Sequence, residues 1–355
     1  MPTGVRKTIT FLLTCFLAIA ATGCSSPSQA PPRLRLSSTA ASLTTQTPPV
    51  TLTNFDANGQ PSVYTYQQIP SRVVITHPGA TELLLEFGLE NRILSTVALY
   101  GQPLDRLTEK YAKLPLMQAR YAPSQEEMFE LQPDMIISWP HHFSDQVFGN
   151  IASWQERGVA TYILPSALHQ DKLTLENTVY ASIADIGSIF GITAKTNQYL
   201  TDYRTRVARV ETAVRGITHK KTVLVLQMQA DGKFSLYDSS YLISSLIAIA
   251  GGQHIGTTHT SIVGAEQVLA YDPDFILFVS TNPKSNNKDL TDQEAITTLQ
   301  AISELRSMRA IEQGNIIHLP FFTVNNGGLR TIAALEKIAK TLYPERFNQS
   351  KIHLH

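Results

Sequence analysis

The sequence predicts an α/β protein of two lobes with mostly parallel sheets, joined by a single long helix. Three observations carry this. Short apolar runs alternate with helical segments, and the alternation occurs twice. A twelve-residue pattern ending in Pro-Asp and a buried run occurs once in each half. Between the halves lies a stretch nearly free of Gly and Pro, with apolar residues at helical spacing.

The first 60 residues stand apart from this rhythm. Arg6 and Lys7 precede an apolar run from Ile9 to Ala21, which is too short for a membrane span and fits a signal peptide over residues 1–23. It closes on Ala21-Thr22-Gly23-Cys24. Small residues before a cysteine are what a bacterial lipoprotein signal peptidase accepts, although Leu is the usual residue at position 21. Cys24 is thus the expected lipidation site, and Cys15 would leave with the leader. Residues 24–60 are rich in Ser, Thr, Pro and Ala and read as a flexible tether.

The N-terminal lobe is expected over residues 61–172. Val73-Val74-Ile75 reads as a strand, His77-Pro78-Gly79-Ala80 as a loop, and Thr81 to Phe87 as a helix stopped by Gly88. Ile93 to Ala98 reads as the next strand. Ser124-Gln125-Glu126-Glu127 is a capping box, starting a helix that Pro133 ends. Met135-Ile136-Ile137 and Val159 to Leu164 are buried strands. Linker helices occupy 173–218, the longer over about 193–215 with Leu200, Tyr203, Val207 and Val210 on one face. The C-terminal lobe, 219–347, restarts the rhythm with strands at Thr222–Leu226, Phe275–Val279 and Asn315–Leu319. Helices are expected at Tyr241–Ala250 and Leu329–Leu342.

Glu126 to Ile137 aligns with Glu266 to Leu277 without a gap: a glutamate, an apolar pair, Pro-Asp and an apolar strand coincide. Each lobe therefore builds a helix, a proline-enforced stop and a parallel strand. Two such lobes on one linker leave a cleft between them, a preferred place for a ligand.

Composition narrows the function. Lys+Arg and Asp+Glu both number 29, so no basic excess marks a nucleic-acid binder. Loss of residues 1–23 leaves 27 basic against 29 acidic residues, a net charge of −2. Two cysteines exclude a disulfide scaffold. No G-x-S-x-G, H-E-x-x-H or phosphate-loop motif points to an enzyme.

The ordered set SRVVITHPGATELLLEFGLENRIL, SQEEMFELQPDMIIS, GVATYIL, the linker helix, YLISSLIAIAGGQHIG, GAEQVLAYDPDFILF and MRAIEQGNIIHLPFF covers about residues 70–345. It resembles the extracytoplasmic binding proteins of ABC importers, in the helix-linked group that carries siderophores, haem and vitamin B12. The resemblance implies a rigid helical bridge and a ligand gripped between the lobes, in a monomer with no resident cofactor. Iron enters only as part of the chelate. Its partners would be a ferric siderophore, with haem or cobalamin as alternatives, an ABC permease with its ATPase, and a membrane reached through the lipid anchor. No nucleic acid is involved. In this group a glutamate on each lobe docks to permease arginines, and Glu126 and Glu266 fall at those positions.

Loops after strand ends should face the ligand. They hold Tyr100, Arg120, Trp139 and His142 from the first lobe, and Tyr237 and Phe321 from the second; His77 and Asn325 share these loops. Arg120 falls where ferric-hydroxamate binding proteins carry an arginine on the iron-bound oxygens, a role suited to a forked guanidinium. Adjacent His141 and His142 on an extended segment would point to opposite sides, so no protein metal site is expected. Trp154 is expected in the core.

Overall fold

The first element of the structure falls inside the expected tether. The computed structural model describes residues 49–119, 121–168, 170, 172–229, 231–256, 261–281 and 289–347. The signal peptide, Cys24, residues 24–48 and Arg120 lie outside them. Strand β1 (Val50–Phe55) pairs antiparallel with β2 (Pro61–Tyr66). This corrects the 24–60 boundary, because residues 50–60 form a strand and a turn. A lone two-stranded hairpin is marginal in water, so composition gives no sign of it. Its stability comes from docking on the lobe. The Asn54 amide donates to Ile163 O (2.9 Å) and accepts from Ile163 N (2.8 Å), and the Tyr66 hydroxyl donates to Thr161 O.

The N-terminal lobe then builds β3 (Val73–Ile75), α1 (Pro78–Glu86), β4 (Ile93–Thr96), α2 (Thr108–Tyr111), α3 (Gln125–Leu131), β5 (Met135–Ser138), α4 (Ile151–Glu156) and β6 (Ala160–Ile163). Its four strands are all parallel, in the order β4-β3-β5-β6. Helix α1 begins at Pro78 and not at Thr81. A proline suits the first helical position, where its missing N–H costs nothing, and the His77 ring caps the helix by accepting from Gly79 N.

The linker comprises a π-helical turn at Glu176–Tyr180, then α5 (Ala181–Ile189) and α6 (Thr193–Ala213). The 21 residues of α6 span about 31 Å at 1.5 Å each. Leu200, Tyr203, Val207 and Val210 are buried on one face, as their spacing predicts. Helix α5 meets the first lobe where the Tyr162 hydroxyl donates to Asp185 Oδ2 (2.7 Å). Helix α6 meets the second lobe through a forked Arg206–Glu336 pair and the Tyr203 hydroxyl on Leu329 O.

The C-terminal lobe runs β7 (Thr222–Met228), β8 (Phe234–Leu236), α7 (Leu242–Ile249), β9 (Gln253–Ile255), β10 (Ser261–Val263), α8 (Ala265–Leu269) and β11 (Phe275–Ser280). It closes with α9 (Asp292–Gln300), α10 (Arg309–Glu312), β12 (Ile316–Pro320), α11 (Phe321–Val324), α12 (Thr331–Leu342) and α13 (Pro344–Phe347). Strands β9, β7, β11 and β12 are parallel, whereas β8 and β10 add antiparallel pairs. The three-residue strands β8, β9 and β10 carry too little pattern to be read from sequence.

The main strands are apolar at nearly every position because both faces are covered. Val223, Val225, Phe275 and Leu277 face the core shared with α5, α6 and the first lobe; Leu224, Leu226, Ile276 and Phe278 face a second core. In the first lobe Val73, Ile75 and Met135 join the shared core, while Val74 and Ile136 join an outer one with Trp154. Each such side chain contributes about 1.5–3 kcal/mol on burial, so these strands are held firmly from both sides.

Candidate functional site

Strand ends of both lobes deliver an aromatic seam. Tyr100 follows β4, Trp139 follows β5, and Phe321 and Phe322 follow β12. The Tyr100 ring lies 6.5 Å from Trp139, nearly parallel to it at 13°, and 6.1 and 6.3 Å from Phe321 and Phe322 of the opposite lobe. Such spacings are ordinary aromatic contact distances. His77, at the end of β3, stacks on Trp139 at 4.0 Å. Beside the seam, a small crevice is lined by Trp139, Ser166 and Leu168 from one lobe and Tyr241, Val324 and Asn325 from the other.

The lobes approach closely at two glycines, Gly79 against backbone and Gly327 against a side chain. A Cβ on Gly79 would overlap Asn326 O, and one on Gly327, which has φ of 61°, would overlap the Ser166 hydroxyl. Nearby, a buried ion pair crosses the seam. Glu82 of α1 is fully buried. Its carboxylate accepts from Arg330 Nε (2.9 Å) and Nη2 (2.7 Å), from the Asn326 amide (3.0 Å) and from Leu104 N (3.3 Å). The Arg330 guanidinium also sits 4.4 Å over the Phe322 ring. The one sign of this pair in the sequence is an acid set within the apolar run Ala80 to Leu85.

Of the expected ligand residues, the structure brings Tyr100, Trp139 and Phe321 together. Tyr237 is buried one layer back; its hydroxyl donates to Gln227 Oε1 (2.9 Å) and accepts from the Asn325 amide (3.5 Å). Burial raises its pKa. His142 is not at the seam. Residues Pro140–His142 form a 3₁₀ turn and not an extended segment, which tucks His142 inside while His141 stays exposed. The His142 ring packs edge-on against Phe148, and its Nδ1 meets the Thr76 and Ser138 hydroxyls at 2.9 and 3.2 Å. Burial, aided by His141, lowers its pKa to about 4 and keeps it neutral. Among the described residues no cluster of three or more His, Cys, Asp or Glu could hold a metal ion. Trp154 is buried, with its indole N–H on Phe148 O.

Glu126 and Glu266 occupy the second position of α3 and α8, exposed on their lobes. The Ser124–Glu127 capping box forms as expected. An array that sequence reading missed lies in the second lobe. His318 Nε2 is 2.8 Å from the Ser280 hydroxyl, and its Nδ1 is 2.8 Å from Asp292 Oδ1. The connectivity is that of a hydrolase triad. Ser280 and His318 are only 5 and 2 % exposed, however, and Lys337 also holds Asp292. The array therefore ties β11, β12 and α9 together and offers a substrate no open hydroxyl.

The model of one protein family, described as periplasmic binding protein, matches residues 73–322. The chain belongs to that family. Membership makes it a substrate-binding protein of the kind that serves ABC importers, and not an enzyme. A search of curated proteins gives no match. Among solved structures, a periplasmic binding protein from Veillonella parvula DSM 2008 is similar at 23% identity and TM-score 0.71, covering 85% of this chain and 94% of that one. An ABC-type Fe3+-hydroxamate transport protein from Saccharomonospora viridis DSM 43017 is similar at 19% and 0.66, with coverages of 82% and 98%. A periplasmic haem-binding protein from Roseiflexus sp. RS-1 is similar at 20% and 0.60, with coverages of 78% and 99%. These likenesses establish the two-lobed fold. Among the described residues no helix is long and apolar enough to cross a membrane.

Proposed function

We propose that this binding protein captures a ferric siderophore outside the cytoplasmic membrane and delivers it to the permease of an ABC importer. The observation that carries the reading is the seam itself. Aromatic rings from both lobes converge where strand ends meet, which suits an apolar-faced chelate carrying its own iron. The iron is cargo, and the chain needs no resident cofactor. The similarity to a hydroxamate transport protein supports a siderophore; the similarity to a haem-binding protein makes haem the second reading. Arg120 would meet the anionic oxygens of the chelate. Cys24 would carry the lipid that keeps the protein, a monomer, at the membrane. Glu126 and Glu266 would dock to the permease, one from each lobe.

The chain has two tryptophans, Trp139 at the seam and Trp154 in the outer core. Titration with a ferric hydroxamate, a ferric catecholate, ferric citrate, haemin and cobalamin is expected to quench wild type and Trp154→Phe, and Trp139→Phe far less. Quenching that survives in Trp139→Phe unchanged would move the ligand away from the seam. In whole cells, Glu126→Ala with Glu266→Ala is expected to abolish uptake at unchanged ligand affinity. Normal uptake by the double variant would remove the docking role.

A further inference from the structure

The Glu82–Arg330 pair reaches seam-bearing segments of both lobes. Arg330 is 9 % exposed and Glu82 fully buried. Nε and Nη2 of the guanidinium donate to the Glu82 carboxylate, and Nη2 also donates to Gln102 O. Glu82 in turn accepts from Leu104 N. Gln102 and Leu104 closely follow Tyr100, so the pair fastens the Tyr100 loop of the first lobe at two points. In the second lobe the same guanidinium lies 4.4 Å from the Phe322 ring centroid, and the Asn326 amide, just beyond α11, donates to Glu82. Asp289 of the second lobe also closes on the Tyr100 loop: a Cβ on Gly101 would come within 2.8 Å of its Oδ1. The Tyr100 ring is thereby set against Phe321 and Phe322, 6.1 and 6.3 Å away.

Stability alone does not account for such a pair. Apolar residues of similar volume often hold a buried site as well as an ion pair or better, because both charges lose their hydration. A guanidinium can do what they cannot. It can place its planar fork on a carboxylate, donate again to a carbonyl and lay its face on an aromatic ring at once. Arg330 makes all three contacts. We propose that Arg330, seated on Glu82, is a positioning residue for the ligand site. It holds the Tyr100 loop of one lobe in register with Phe321 and Phe322 of the other before the ligand arrives. This rests on the seam being the ligand site. Rings fixed in advance need no further ordering when the ligand binds, which raises affinity. The pair acts through the rings and not by touching the ligand.

The test uses the mature full-length chain and each probe of the panel above that wild type binds. Affinity is measured by calorimetry and stability by urea denaturation. Arg330→Lys keeps the charge beside Glu82 but loses the fork and the flat face. Glu82→Gln with Arg330→Met keeps an acceptor for Leu104 N and the Asn326 amide, and removes both charges so that neither is stranded. This double variant is expected to recover most of the stability that Glu82→Gln alone loses. Both it and Arg330→Lys are nevertheless expected to bind roughly tenfold or more weakly, the cost of ordering a few seam side chains on binding. If affinity returns to wild type together with stability in the double variant, the pair only joins the lobes and the positioning role is overturned. Wild-type affinity in Arg330→Lys overturns it too, and decides the matter should the double variant not fold. Tyr100→Ala and Phe321→Ala report on the seam independently. If these two weaken binding while the Arg330 variants match wild type, the positioning role is wrong and the seam reading survives. If Tyr100→Ala and Phe321→Ala bind as wild type, or the wild type binds nothing on the panel, both readings fall.

Discussion

At the end of α3 the chain passes through Gln132, with φ of 48°, into Pro133-Asp134. At the end of α8 it passes through Asp272, with φ of 35°, into Pro273-Asp274. Both residues sit in the left-handed region without being glycine, at a cost of about 1–2 kcal/mol. Both prolines end the helix, and both aspartates then clamp the start of the neighbouring strand. Asp134 accepts from Ser71 N, the Ser71 hydroxyl and Arg72 N at 2.8–2.9 Å. Asp274 accepts from Thr222 N (2.9 Å) and the Thr222 hydroxyl (3.0 Å).

The lobes differ in what surrounds this turn. In the first lobe Arg72, beside β3, donates to the Gln132 and Leu131 carbonyls. In the second, Arg309 of α10 reaches Asp272 O and Asp274. Helix α3 has a serine cap, whereas the cap position of α8 is Gly264, which has no side chain, and only Gln267 Oε1 reaches back to accept from Gly264 N. The turn constrains its residue types, and the arginine that fastens it does not have to come from one place. Glu126 and Glu266 recur at one position yet take no part in either fastening.

Four measurements test how far the lobes are equivalent and what joins them. The largest effect is expected at their junction. Glu82→Gln strands Arg330 in a buried site and should cost about 3–5 kcal/mol in urea denaturation; a loss below 1 kcal/mol would mean that the lobes are joined elsewhere. Next come Asp134→Ala and Asp274→Ala, each expected to cost about 1.5–3 kcal/mol as strand-start donors lose a charged acceptor. A marked inequality between them would break the structural equivalence of the two turns.

The two linker grips should respond oppositely to pH. Burial raises the Asp185 pKa to about 6 against the opposing hydrogen bond from Tyr162. A carboxyl raised in the folded state binds more protons there, so its contribution weakens stability as pH rises from about 4 to 6. Asp185→Asn should therefore gain on the order of 2 kcal/mol at pH 7.5 and little at pH 4, read from melting temperatures at both. On the other grip, the Arg206 hydrogen bond lowers the Glu336 pKa despite partial burial. That contribution is present above the ordinary glutamate value and is lost as pH falls through the lowered one. Both partners are a quarter or more exposed, so Glu336→Gln should cost only about 0.2–1 kcal/mol. A larger loss would make the C-terminal grip the stronger of the two.

What the sequence by itself determined is local. The alternation of apolar strands and helices, the stop at Pro133 and Pro273, the Ser124 cap and the apolar face of α6 follow from sterics and periodicity among near neighbours. For the same reason, Tyr100, Trp139 and Phe321 could be placed at strand ends. Only the tertiary structure decided the rest. It paired Glu82 with Arg330, 248 positions apart, docked β1 and β2 on β6, turned His142 inward, and joined Ser280, His318 and Asp292. A buried polar group is tolerable only where its partner arrives, and such partners come from remote segments that no local pattern specifies.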